Sequence, residues 1–91
     1  MDMPEYIPIR FLRSAAILAE ELNYSRAAKK LELSARELRE IVSTLENRLC
    51  FRIFLSRRGN VELTKEGTVF LRASARFLKY NYRPSARARR P

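Results

Sequence analysis

Between Ser34 and Leu49 the sequence SARELREIVSTLENRL sets two arginines, Arg36 and Arg39, beside Glu40 and Ser43. A guanidinium fork matches O6 and N7 of guanine, and the same group binds phosphate oxygens. The stretch therefore carries chemistry suited to a nucleic acid, through base edges or through phosphates. Glu40 fits less easily, because phosphates repel a carboxylate. Its spacing from Arg36 suits an ion pair along a helix, the reading preferred here, and acceptance from a cytosine N4 is the alternative. Ser25, Arg26 and Lys29 form a second set, in which a hydroxyl, helix-terminal amides and two cations could hold a phosphate or simply face water. Arg57 and Arg58 form a third, either anion contacts or the polar residues that any soluble turn needs.

Other chemistries lack their residues. The chain has no histidine and one cysteine, Cys50, which excludes an internal disulfide and a Cys/His metal site. The commonest general base is missing, and with it the nucleophile–base pairs of hydrolases. Glu20 and Glu21 are adjacent, and neighbours on a helix do not face each other, so they are read as a solvated helix end rather than an acid–base pair. No enzymatic activity, cofactor or metal is expected. Cys50 is read as a small, semi-buried filler at a helix end rather than a redox sensor. A single cysteine also fits a reducing cytoplasm.

At 91 residues the chain has room for one small domain. So short a chain buries only about two-thirds of its unfolded surface, so a partner subunit or a ligand would add usefully to its stability. Hydrophobic residues make up 46% and charged ones 32%, the balance of a globular protein. Nineteen Lys and Arg against ten Asp and Glu give a net charge of +9, which favours a polyanion through long-range attraction and counterion release. Residues 83–91 hold four arginines and no acid, leaving fifteen against ten, or +5, for the rest. No apolar run approaches the ~18 residues of a membrane span, and the start lacks a basic flank followed by an apolar run. Nucleic acid is thus a better expectation than a membrane surface.

These residues must be positioned by helices. Residues 1–8, with two prolines, read as an extended lead-in. From Ile9 to about Glu21, Leu12, Ala15, Ala16, Ala19 and Leu22 recur at three and four, with Phe11 and Leu18 flanking the stripe, as in an amphipathic helix. Asn23 offers an N-cap for a second helix whose buried side is Tyr24, Ala27, Ala28 and Leu31. Its two alanines allow close approach of the next helix. After the link Glu32-Leu33, Ser34 and Glu37 form a capping box. Leu38, Val42, Leu45 and Leu49, with Ile41 beside them, make the apolar stripe of the third helix and turn Ala35, Arg36, Arg39, Glu40 and Ser43 outward. The result is a helix-turn-helix pattern.

Short β-like runs follow, Arg52–Ser56 and Val61–Leu63, with Gly59 and Asn60 suited to the positive φ of a hairpin turn. This hairpin is a wing with Arg57 and Arg58 at its tip. Thr64 is the expected N-cap of a last helix bearing Phe70, Leu71, Ser74, Phe77, Leu78 and Asn81 on one side, widened by Val69, Ala73, Ala75 and Tyr80. So much apolar surface calls for cover, and a second subunit is the expected one. Arg72, Arg76 and Lys79 fall on the other side. Tyr80 and Tyr82 could stack on bases, with packing at a dimer seam the simpler account. The fold expected is mainly α: three helices, a two-stranded wing and a long C-terminal linker helix. Its segments are a winged helix-turn-helix over 9–63, a linker and dimerisation helix over 64–82, and a basic tail over 83–91, mobile unless it meets an anion.

From about Ile9 to Leu78 the chain resembles the N-terminal DNA-binding domain of LysR-type transcriptional regulators. The resemblance is carried by Ala27-Ala28 with Leu31, Ser34, Leu38, Leu45-Glu46, Leu49, Arg52-Ile53-Phe54, and Leu63-Thr64 with Gly67. It implies a winged helix-turn-helix whose third helix enters the major groove, a wing at the flanking minor groove, and linker helices pairing two subunits antiparallel over interrupted inverted repeats. By that resemblance Ser34, Ala35, Arg36, Arg39, Glu40 and Ser43 form the recognition surface. Ser25, Arg26 and Lys29 would meet phosphates, Arg57 and Arg58 would serve the wing, and Phe70, Leu71, Ser74, Phe77 and Leu78 would serve dimerisation. Most relatives continue into a larger effector-binding domain, so no small-molecule effector site is expected in this chain. The family usually follows the cap serine with Gln-Pro and places a Ser four residues after that Gln, where this chain has Ala35, Arg36 and Arg39. Its turn glycine before the wing is Cys50 here, and its wing arginine is Ser56. The scaffold matches better than the reading surface.

The expected function is sequence-specific binding of double-stranded DNA by a dimeric, cytoplasmic transcription regulator. The alternatives are a winged-helix protein-interaction module held through Phe70 and Phe77, and a non-specific nucleic-acid binder using the basic tail.

Overall fold

The computed structural model describes residues 7–58 and 60–77. The chain runs α1 (Ile9–Glu21), α2 (Tyr24–Leu31), α3 (Ala35–Leu49), β1 (Phe54–Arg57), β2 (Asn60–Leu63) and α4 (Lys65–Phe77). Residues 1–6 of the lead-in, Gly59, the basic tail, and Leu78, Lys79, Tyr80, Asn81 and Tyr82 lie outside the described residues, as does the side chain of Phe77.

Each helix begins where a side chain or a proline allows it. Pro8 precedes α1, and its carbonyl accepts from the N–H of Phe11 at 2.9 Å. The Asn23 side chain accepts from the N–H of Arg26 at 2.9 Å and starts α2. Both halves of the capping box form at α3. Ser34 Oγ accepts from the N–H of Glu37 at 3.0 Å, and Glu37 Oε1 accepts from the N–H of Ser34 at 2.9 Å. Those bonds also hold the Glu37 carboxyl below its ordinary value, the backbone bond contributing most. Three helix ends are left-handed without a glycine: Leu22 at φ 51°, Glu32 at φ 58° and Cys50 at φ 64°. A Cβ in that region crowds the following carbonyl, so tertiary packing holds these turns against local preference.

The core is a three-helix cluster closed by the wing and α4. Leu18, Leu38, Leu45, Ile53 and Leu71 are its largest fully buried side chains. The expected stripes hold, with Leu12, Ala15, Ala16, Ala19 and Leu22 buried on α1 and Leu38, Val42, Leu45 and Leu49 on α3. Only Ala27 and Ala28 are buried on α2, which lets its backbone sit close to both neighbours. Removing a core leucine side chain such as that of Leu45 would cost about 2–5 kcal/mol.

The first strand of the wing is shorter and later than the β-like run suggested, and the second begins one residue earlier. Strands β1 and β2 pair antiparallel, with Phe54 opposite Leu63 and Arg57 opposite Asn60. Arg52 and Ile53 lie outside the ladder because their backbone groups are taken elsewhere. The N–H groups of Ile53 and Phe54 donate to Glu46 Oε2 at 2.7 and 3.0 Å. The Arg52 carbonyl accepts from the Thr64 hydroxyl at 2.6 Å, and the Ile53 carbonyl from the Thr64 N–H at 2.9 Å. Among the described residues of the turn, a positive φ falls on Arg58, at 50°, and not on Asn60, which already belongs to β2; Gly59 lies outside the described residues.

Thr64 is the expected cap of α4, its Oγ1 accepting from the N–H of Gly67 at 2.8 Å. Gly67 lies so close to the wing that a Cβ there would stand 2.4 Å from the Ile53 carbonyl oxygen. Phe70, Leu71 and Ser74, expected to meet a second subunit, are buried within the single chain. Phe70 meets Phe51 edge-on, with ring centroids 5.9 Å apart, and the Ser74 hydroxyl donates to the Phe70 carbonyl at 2.9 Å. The face of α4 left to solvent carries Val69, Arg72, Ala73 and Arg76.

Candidate nucleic-acid interface

Anchored by Leu38, Val42, Leu45 and Leu49, α3 presents Arg36, Arg39, Glu40 and Ser43 as exposed residues, with Ser34 exposed at its cap and Ala35 partly so. The geometry follows from helical periodicity, since residues three and four apart share a face. Ser34 Oγ accepts one bond in the capping box, which leaves its hydroxyl hydrogen for a further partner.

Arg36 and Glu40, expected to pair, form no salt bridge among the described residues. Both are exposed, where water solvates each charge and an i,i+4 pair contributes little. The nearer neighbour of interest belongs to Arg39. Its guanidinium carbon lies 4.8 Å from the centroid of the Tyr24 ring, a cation–π contact between α3 and the first residue of α2. Burial raises the Tyr24 phenol above its ordinary value, with a smaller contribution from the nearby Glu46 carboxylate, so the ring is neutral at physiological pH.

Tyr24 and Arg39 line an open groove of about 600 Å³ whose other lining residues include Ser43, Glu46, Asn47, Arg52 and Ser56. Within that lining, Glu46 ties α3 to the wing. Besides the two amides it accepts, its Oε1 lies 3.3 Å from Arg52 Nε, and its side chain is only 10% exposed. Asn47, Arg52, Tyr24 and Glu46 were not singled out as site residues from the sequence. Asn47 follows Ser43 by one helical turn, so periodicity alone points to it. Glu46 joins residues seven and eight positions away, a contact that no periodicity encodes.

The second set separates. Ser25 and Lys29 are exposed and make no ion pair among the described residues. Arg26 is engaged, its Nε 3.4 Å from Glu21 Oε1 and its Nη2 donating to the Glu21 carbonyl at 3.3 Å. Glu21 also holds Lys30 at 2.6 Å. Rather than a solvated helix end, Glu21 links α1 to α2, and the hydrogen bond from Lys30 is the main cause of its lowered pKa. Arg57 and Arg58 are both exposed at the wing tip. Cys50, expected as a semi-buried filler, is exposed. It is the left-handed residue that ends α3, its thiol 3.7 Å from the Asn47 carbonyl, because the chain must reverse there into the wing.

A capped helix following a close-packed partner helix, then a two-stranded hairpin and a returning helix, defines a winged helix-turn-helix protein. The chain belongs to the lysR family of bacterial regulatory helix-turn-helix proteins, whose sequence pattern matches residues 9–68. It is similar to the HTH-type transcriptional regulator XapR of Escherichia coli strain K12, 34% identical over 70 residues that cover 77% of this chain and 24% of that protein. It is also 41% identical over 68 residues to a probable RuBisCO transcriptional regulator of Thalassiosira pseudonana, covering 74% of this chain and 22% of that protein. The chain thus spans about a quarter of the length of these curated relatives. Among solved structures it resembles that of the CbnR DBD–DNA complex, with a TM-score of 0.76 at 29% identity, covering 80% of this chain and 84% of that one. The BenM DBD/catB site 1 DNA complex gives a TM-score of 0.76 at 26% identity, covering 80% and 78%.

Proposed function

We propose that the chain binds double-stranded DNA in a sequence-specific manner as a dimeric transcription regulator of LysR type, in the cytoplasm. The observation that carries this reading is the exposed face of α3. A helix fixed by four buried aliphatic residues and a complete cap offers Arg36, Arg39 and Ser43 to a groove-sized partner. Cations flank it on both sides, Lys29 on α2 and Arg57 and Arg58 on the wing. In this reading α3 enters the major groove, Ser25 and Lys29 meet one phosphate backbone and the wing meets the next. Arg26 takes a lesser part because Glu21 holds it. The similarity to domains solved with DNA supports the same docking.

The dimer in this proposal uses the outer face of α4, where Val69 is 68% exposed, together with Phe77 and Leu78. Phe70, Leu71 and Ser74 support that face from within their own subunit.

Selection of bound sequences from a random duplex pool tests both parts, because a two-fold reader yields an inverted-repeat consensus. Binding tighter than micromolar at low salt, with such a consensus, is expected. Absence of binding at that level refutes the proposal, and binding that disappears with residues 83–91 and shows no preference among sequences assigns it to the tail. Replacing a base-reading arginine should cost ~1–3 kcal/mol of affinity.

A further inference from the structure

We propose that Tyr24 is a positioning residue whose ring holds the Arg39 guanidinium by its face, leaving the edge of the fork to read one guanine. The inference rests on the DNA reading above and assigns base recognition within it. Arg39 stands where the family usually has a serine, so the usual base preference gives no guide to what it does. Its guanidinium carbon sits 4.8 Å from the Tyr24 centroid, and both residues line the open groove with Ser43, Asn47 and Ser56.

A guanidinium donates its hydrogen bonds in its own plane and stacks through its face. Stacking on an aromatic ring and bidentate bonding to guanine O6 and N7 are therefore compatible, whereas an ion pair to a carboxylate would occupy the same edge. Arg39 has no carboxylate partner among the described residues. Tyr24 is suited to the task because it is anchored. It packs partly buried against the core at the first position of α2, and Asn23 caps that helix directly before it. A long side chain that would otherwise lose rotamer freedom on binding DNA is thereby ordered beforehand.

The test compares the full chain with R39A, Y24L, Y24F and Y24L/R39A by pool selection and by titration of the selected duplex and its single-base variants. R39A should erase preference at one base pair per half-site, a factor of about 5- to 150-fold for one bidentate contact. Y24L removes the ring face and should lower preference at that same pair by roughly two- to five-fold, leaving the other positions unchanged. Y24F should restore it, since the hydroxyl takes no part. In Y24L/R39A the tyrosine change should have no further effect on preference. If the wild-type chain binds no duplex, the DNA reading and this inference fail together. If it reads a sequence and Y24L keeps the full preference, raises it, or loses preference equally at every position, this inference alone is overturned. Circular dichroism of each variant separates a folding defect from a change in reading, and Y24F against R39A decides the question should Y24L not fold: loss of preference in folded Y24F overturns the inference, and its retention alongside loss in R39A supports it.

Discussion

Replacing Glu46 by alanine tests how α3 and the wing are joined. One carboxylate oxygen accepts the N–H groups of Ile53 and Phe54 at 2.7 and 3.0 Å, and those residues are 0% and 2% exposed. Without it, two buried donors lose their acceptor, each at about 1–3 kcal/mol. Water entering the vacated space would satisfy them in part, so a total loss of about 2–4 kcal/mol is expected. The ion pair to Arg52 adds little, because the Arg52 side chain is 64% exposed. A chain of this size has roughly 5–14 kcal/mol in all, so E46A should shift the urea midpoint markedly. Glutamine retains one acceptor and should recover about half the loss. Amide exchange at Ile53 and Phe54 should accelerate more than at Leu38 or Leu45, since opening would begin where α3 meets the wing. A loss under about 1 kcal/mol, with both amides as protected as in the wild type, would show that the carboxylate is not their acceptor.

Three further predictions concern the scaffold. C50G should raise stability by about 1 kcal/mol in denaturant titrations, because glycine takes the left-handed end of α3 without the Cβ crowding that cysteine suffers at φ 64°. G67A should destabilise by about 1–3 kcal/mol or more, since its Cβ would meet the Ile53 backbone at 2.4 and 2.8 Å and backbone cannot turn aside; a thermal midpoint equal to wild type would contradict this. Glu21 supplies a pH dependence. The Lys30 hydrogen bond holds its carboxyl below the ordinary 4.5, so its contribution is complete above that value and lost as pH falls through the lowered one. The stability difference between wild type and E21Q should therefore be present at neutral pH and close on the acid side in pH-resolved urea titrations.

Local rules made much of this protein legible before any coordinates. The apolar stripes of α1 and α3, the Asn23 cap, the Ser34–Glu37 box and the Thr64 cap depend on spacings within one turn of helix, which residue order states directly. For the same reason the outward direction of Arg36, Arg39, Glu40 and Ser43 could be read from the inward direction of Leu38 and Val42. Tertiary structure decided the contacts between elements. Nothing in residue order tells Arg39 to lie on Tyr24 rather than pair with a neighbour on its own helix, or tells Glu46 to hold the start of the wing. Residue order likewise did not show that Phe70, Leu71 and Ser74 would be covered by their own chain, because an amphipathic face states that it must be buried and not against what. Cys50 and Arg58 take left-handed backbone for a related reason: the chain must reverse between α3 and the wing at the first and between β1 and β2 at the second, and that connection outweighs the local preference of either residue.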